Sequence, residues 1–85
     1  MSRIRIYTTR WCGFCARSKA LLDTKGTPYE EVPLDGDPAF RQTLVELTGN
    51  WTVPQILIDG RPIGGYTELV RMARDGRLDS LLDAA

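Results

Sequence analysis

Histidine is absent from these 85 residues, and cysteine occurs only twice, at Cys12 and Cys15. Two thiols without an imidazole fall short of the four ligands of a closed tetrahedral zinc shell, so no zinc or copper centre is expected within one chain. Excess charge of either sign is missing too: 11 Lys and Arg balance 11 Asp and Glu, a formal net charge of zero. That removes the electrostatic case for nucleic acid or an anionic membrane surface as a partner. No apolar run approaches membrane-spanning length. The opening Met1-Ser2-Arg3-Ile4-Arg5-Ile6 is too short and too charged for a signal peptide. Linkers, repeats and low-complexity stretches are lacking, and the length suits one domain, 1–85, with one modest core. Without an export signal a reduced, cytoplasmic setting is expected. There a Cys-x-x-Cys speaks for redox or metal chemistry rather than for a structural staple.

What is present alternates between two periodicities. Ile4, Ile6 and Thr8 alternate with Arg3, Arg5 and Tyr7, which predicts a strand. A helix is expected from Gly13 to Lys25, stopped by Gly26 and Pro28. Tyr29 to Leu34 reads as a second strand. Asp37 before Pro38 predicts a helix start, with Phe40, Leu44 and Leu47 on one face and Gly49 at the end. Leu21, Leu22, Leu44 and Leu47 are expected in the core. Gln55 to Ile58, the turn Asp59-Gly60 and Arg61 to Ile63 form a hairpin. Thr67 is placed to cap a third helix, which Gly76 ends, and Leu78 to Leu82 suit a short last one. The order β-α-β-α-β-β-α predicts a four-stranded mixed α/β sheet flanked by helices. Its two crossovers imply parallel pairing and its tight turn an antiparallel edge.

The two cysteines stand three apart in Trp11-Cys12-Gly13-Phe14-Cys15, between the first strand and the first helix. The first thiol lies where unpaired backbone N–H groups and the helix dipole favour negative charge. Such positions lower a cysteine pKa from about 8.5 and produce the thiolate nucleophile. The second thiol lies close enough to close a disulfide. Arg10, Arg17 and Lys19 are candidates to stabilise the thiolate or a carboxylate, or are solvated helix charges. Trp51 either flanks a groove or covers the core edge.

The order of elements, Cys12-Gly13-Phe14-Cys15, Thr52-Val53-Pro54-Gln55 and Gly64-Gly65 together resemble a dithiol glutaredoxin, on the thioredoxin fold. The resemblance runs from Ile4 to Leu82. It implies catalytic roles for Cys12 and Cys15 and a cis peptide bond before Pro54, beside Cys12. It implies that the Val53 backbone pairs with an extended thiol peptide. It places the cysteinyl part of glutathione on Thr52 and Val53, with Phe14 as an apolar wall where the family commonly has tyrosine. Gly65, Tyr66 and Thr67 align with the segment that binds the γ-glutamyl end. There the common Gly-Gly-Cys-Asp-Asp is Gly64-Gly65-Tyr66-Thr67-Glu68, so Thr67 replaces an aspartate. The family's frequent lysine after the strand tyrosine is Thr9 here, next to Arg10.

The implied activity is glutathione-dependent reduction of glutathionylated and disulfide-bonded proteins by a monomer, with no metal required. Two alternatives stand beside it. Cys12-Gly13-Phe14-Cys15 is similar to the Cys-Gly-Phe-Ser of monothiol, cluster-binding glutaredoxins. That allows a [2Fe-2S] cluster shared by two chains, although the insertion that those proteins carry before the cysteine is absent. Trp11 resembles thioredoxins and mycoredoxins, which allows mycothiol or thioredoxin reductase as the electron source.

Overall fold

The computed structural model describes residues 3–83. Strand β1 covers Ile4–Thr8, helix α1 Gly13–Thr24, β2 Tyr29–Pro33, α2 Phe40–Thr48, β3 Gln55–Ile58, β4 Arg61–Gly64, α3 Tyr66–Asp75 and α4 Arg77–Asp83. The four strands form one mixed sheet in the order β2-β1-β3-β4. This is the thioredoxin-like arrangement that the sequence implied.

Strand alternation sorts the apolar residues onto two faces. Ile4, Ile6, Ile56 and Ile58 pack with Leu22, Leu69, Met72 and Leu78, so α1, α3 and α4 supply the cover of that face. Tyr7 points the other way and joins Leu34 and Leu44, with Phe40, Val53 and Leu57 around them. Both faces of the central strands are therefore buried, and Tyr7 belongs to the core rather than to a solvated face.

Only the first crossover pairs its strands in parallel. β1 and β2 run together from Ile4↔Tyr29 to Thr8↔Pro33, whereas β3 lies antiparallel to β1, with Tyr7 opposite Gln55. The chain leaves the sheet after Pro33 and re-enters before Gln55 at the same end. That reversal brings the Val53–Pro54 bond next to the end of β1, where Cys12 follows.

Three local expectations shift. α2 begins at Phe40 rather than at Pro38, because Asp37 closes a turn: its Oδ1 accepts the Ala39 N–H at 2.8 Å and its carbonyl the Phe40 N–H at 3.1 Å. Leu47 is 44% exposed, since one nine-residue helix covers this face and Leu44 alone of its residues is fully buried. Thr67 is not the cap of α3. Gly65 takes that position in extended backbone, its N–H donating to the Glu68 carboxylate at 3.2 Å, and Thr67 falls inside the first turn. The Asp59-Gly60 hairpin turn is as expected, with φ of 52° and 81°, the pattern of a type I′ turn.

Candidate active site

After β1 the chain turns through Trp11, a non-glycine residue at φ 58°, and Cys12 becomes the N-cap of α1. Cys15 sits one turn in and is 2% exposed, while Cys12 is half-buried. Their Cα atoms are 5.1 Å apart and their sulfurs are joined in a disulfide. The Cys15 N–H points at Cys12 Sγ at 3.1 Å, one of the donors that a helix start leaves free. Among the described residues no equivalent donor reaches the Cys15 sulfur. Val53 O lies 3.8 Å from Cys12 Sγ. A disulfide sulfur carries no proton, so this is a contact that a thiol would turn into a hydrogen bond.

The Val53–Pro54 peptide bond is cis. Gln55 braces the turn that carries it. Its side chain is 2% exposed, and Nε2 donates to Thr52 O at 2.9 Å and to Thr52 Oγ1 at 3.2 Å. The other amide atom, Oε1, is buried without a hydrogen-bond partner among the described residues.

A cleft of about 380 Å³ opens beside this turn. Phe14, Thr52, Val53, Pro54, Gly65, Tyr66 and Thr67 all line it, so the structure brings together the residues that the resemblance assigned to glutathione, while neither cysteine is among the lining residues. The Phe14 and Tyr66 rings meet at 5.6 Å between centroids. The two glycines before α3 each have a steric reason. A Cβ on Gly65 would come within 3.0 Å of Pro54 O, and one on Gly64, at φ 111°, within 2.7 Å of Glu68 Cγ. The close approach of the β4–α3 junction to the cis-proline turn depends on Gly65.

The three candidate cations separate. Arg17 Cζ lies 5.5 Å from the Phe14 ring centroid, at the cleft. Lys19 pairs with Glu31 at 3.0 Å and shares with Arg10 a different depression, lined by Thr8, Glu31 and Asp35. Thr8 Oγ1 also donates to Glu31 at 2.8 Å. The Thr8 bond first, and the Lys19 bond second, hold the Glu31 carboxyl below its ordinary range. Trp51 covers no core: it is 57% exposed and lies 4.9 Å from the Arg41 guanidinium, which also sits 4.8 Å from Phe40 and donates to Trp51 O at 2.9 Å.

Asn50, Gln55 and Glu68 also line the cleft and were not anticipated there. Glu68 carried a signal, an acid three residues after the helix cap. Asn50 had none, and Arg41 meets Trp51 only because the chain folds back after α2.

The glutaredoxin family model matches residues 4–63. The chain belongs to the glutaredoxin family. Glutaredoxin 3 of Escherichia coli strain K12 is 44% identical over 82 residues, which is 96% of this chain and 99% of that protein. A glutaredoxin of Pseudomonas aeruginosa is 44% identical over 84 residues, 99% of this chain and 100% of that one. Among solved structures, a buckwheat glutaredoxin–glutathione complex superposes with a TM-score of 0.87 at 33% identity, over 95% of this chain and 76% of the other. This glutaredoxin is accordingly a thiol oxidoreductase, and Cys12–Cys15 is its redox-active disulfide.

Proposed function

We propose that this glutaredoxin acts as one domain, residues 1–85, and as a cytoplasmic monomer that uses glutathione to reduce protein–glutathione mixed disulfides and protein disulfides. The observation that carries this reading is the asymmetry of the thiols beside a ready cleft. Cys12 is accessible at a helix N-terminus with a donor on its sulfur, while Cys15 is buried behind it. The cleft volume, about 380 Å³, falls among small-ligand sites, and the buckwheat relative is described in complex with glutathione.

The Cys12 thiolate attacks the glutathione sulfur of a mixed disulfide. The Cys12–glutathione disulfide forms, and the protein sulfur leaves as a thiolate that takes up a proton. A second glutathione thiolate attacks the bound glutathione sulfur, glutathione disulfide departs and the Cys12 thiolate returns. With a protein disulfide, Cys12 forms a mixed disulfide with one protein sulfur and releases the other. Cys15 then attacks Cys12 Sγ, which frees the second protein thiol and leaves the disulfide seen here. Two glutathiones reduce that bond. In this scheme Phe14 is an apolar wall, and Thr52, Val53 and Pro54 hold the cysteinyl part as an added strand. Gly65, Tyr66 and Thr67 take the γ-glutamyl end, whose carboxylate meets the free N–H groups of α3.

The test is a pair of variants assayed on both substrates. Cys12→Ser loses all exchange. Cys15→Ser keeps turnover of glutathione mixed disulfides and loses most protein-disulfide reduction, because the one-thiol route needs only the attacking sulfur. Full activity in Cys12→Ser overturns the assignment. Mycothiol and thioredoxin reductase, run in parallel, identify the electron source. Visible absorbance after anaerobic reconstitution with iron, sulfide and glutathione reports the [2Fe-2S] alternative.

A further inference from the structure

A second depression opens directly beside the cleft, and Tyr66 and Thr67 line both. It runs along α3 past Val70 to Arg71, Arg74 and Asp75, with a volume of about 500 Å³. Thr67, Val70, Arg71 and Arg74 fall at i, i+3, i+4 and i+7, so they share one helix face. Val70 is half-buried and offers an apolar floor, while both arginines are exposed. Neither guanidinium is in an ion pair among the described residues. Asp75, the one carboxylate lining the depression, is hydrogen-bonded to Arg77, through Nε at 2.7 Å and the backbone N–H at 3.0 Å, and acts on Arg71 only through space. Glu68, at the cleft end, is turned to the Gly65 N–H. A further cation, Arg17, lies over Phe14, whose ring meets Tyr66, although it lines neither depression. A chain of zero net charge thus has a local excess of positive charge leading away from its thiols. The α3 dipole accounts for Arg74 in the last turn. It accounts neither for Arg71 nor for the continuity with the cleft.

We propose that this groove docks an acidic segment of the protein substrate, so that carboxylates near the attacked cysteine seat on Arg71 and Arg74 while the sulfur reaches Cys12. The proposal rests on the thiol-exchange reading above and adds the substrate class. Tyr66 to Arg74 spans about 12 Å of helix, which roughly four residues of extended chain cover. An acidic cluster on the order of three to seven residues from the cysteine matches the groove. Exposed charge pairs act mainly on encounter and lose strength with salt, since the Debye length is about 10 Å at 0.1 M.

The experiment uses glutathionylated peptides of one length with Glu, Gln or Lys flanking the cysteine, and a small disulfide as reference. The Glu peptide is expected to have a kcat/KM roughly tenfold above the Gln peptide at low salt, with the Lys peptide lowest. Arg71→Glu/Arg74→Glu reverses that order and leaves small-disulfide turnover unchanged. Salt near 0.5 M removes the preference in the wild type. Binding of fluorescent Glu and Gln peptides carrying Ser in place of Cys, read by anisotropy, tests the docking without any turnover. Equal kcat/KM for Glu and Gln peptides, or a Glu preference that survives in the double variant, overturns the proposal. Absence of all turnover with intact Glu-selective binding condemns the thiol-exchange reading and keeps the docking site.

Discussion

Thr67 stands in the first turn of α3 and lines the cleft beside Gly65 and Tyr66. A neutral hydroxyl there accepts a hydrogen bond from an ammonium group with charge on the donor alone, whereas a carboxylate adds the opposite charge and makes the bond an ion pair. Thr67→Asp is therefore expected to lower the KM for glutathione by about fivefold, or ~1 kcal/mol, with kcat nearly unchanged. The contact is remote from the reacting sulfurs, so ground state and transition state gain equally. Thr67→Asn is the control, since it keeps the size and lacks the charge. Steady-state kinetics with varied glutathione decide the matter: an unchanged or raised KM in Thr67→Asp means the γ-glutamyl amine is not read at this position. Gly65 acts at the same scale through what it lacks. With no Cβ it lets the α3 start approach Pro54 O, and the cleft wall is built on that approach.

At the scale of the element, α2 shows how weakly periodicity specifies burial in a short helix. Phe40, Leu44 and Leu47 share a face, yet Leu44 is fully buried and Leu47 is 44% exposed. Leu44→Ala removes side-chain contacts with the Tyr7 and Leu34 cluster and is expected to cost about 2–4 kcal/mol of unfolding free energy. Leu47→Ala is expected to stay within about 1 kcal/mol. Urea titrations of the two variants check this, and equal losses would mean that Leu47 is covered in solution. The start of α1 shows the opposite behaviour. There the helix geometry alone makes the two cysteines unequal, because the first precedes the turn and the second lies within it.

At the scale of the whole molecule, the sheet is tied to its surroundings by a few polar links. Arg3 joins Asp59 in the hairpin turn to the carbonyls of Leu81 and Leu82 at the end of α4. Glu31 on β2 joins Thr8 on β1 to Lys19 on α1. The carboxyl of Glu31 is held below its ordinary value of 4.5, chiefly by the Thr8 bond and then by Lys19. A lowered folded pKa means stability that is present above 4.5 and lost as pH falls through the lower folded value. Glu31→Gln is expected to be less stable than the wild type at pH 7, by less than about 1 kcal/mol because the Glu31 and Lys19 side chains are both partly solvated. The difference should close in strong acid. Thermal unfolding from pH 2 to 7 tests the sign, and a gap that widens as pH falls contradicts it.

Much of this architecture is written locally. Alternation in Ile4 to Thr8, the cysteine pair at a helix start and Asp59-Gly60 after an apolar run are short-range patterns, so they could be read from neighbouring residues. The residues around the thiols came from resemblance to glutaredoxins, and the structure brings them to one cleft. Several features depend on where distant segments meet. The antiparallel placement of β3 arises because the chain re-enters the sheet at the end it left, which no local period encodes. The cap of α3 is Gly65 rather than Thr67, and Pro54 O, close enough to crowd a Cβ there, explains why that position carries glycine. Arg10, Arg17 and Lys19 look alike in sequence, yet Phe14 holds one at the cleft while the Glu31 depression takes the other two. Covalent geometry and hydrogen bonding between neighbours determine the elements. Packing between elements decides which charges stand free, and that is a property of the folded surface alone.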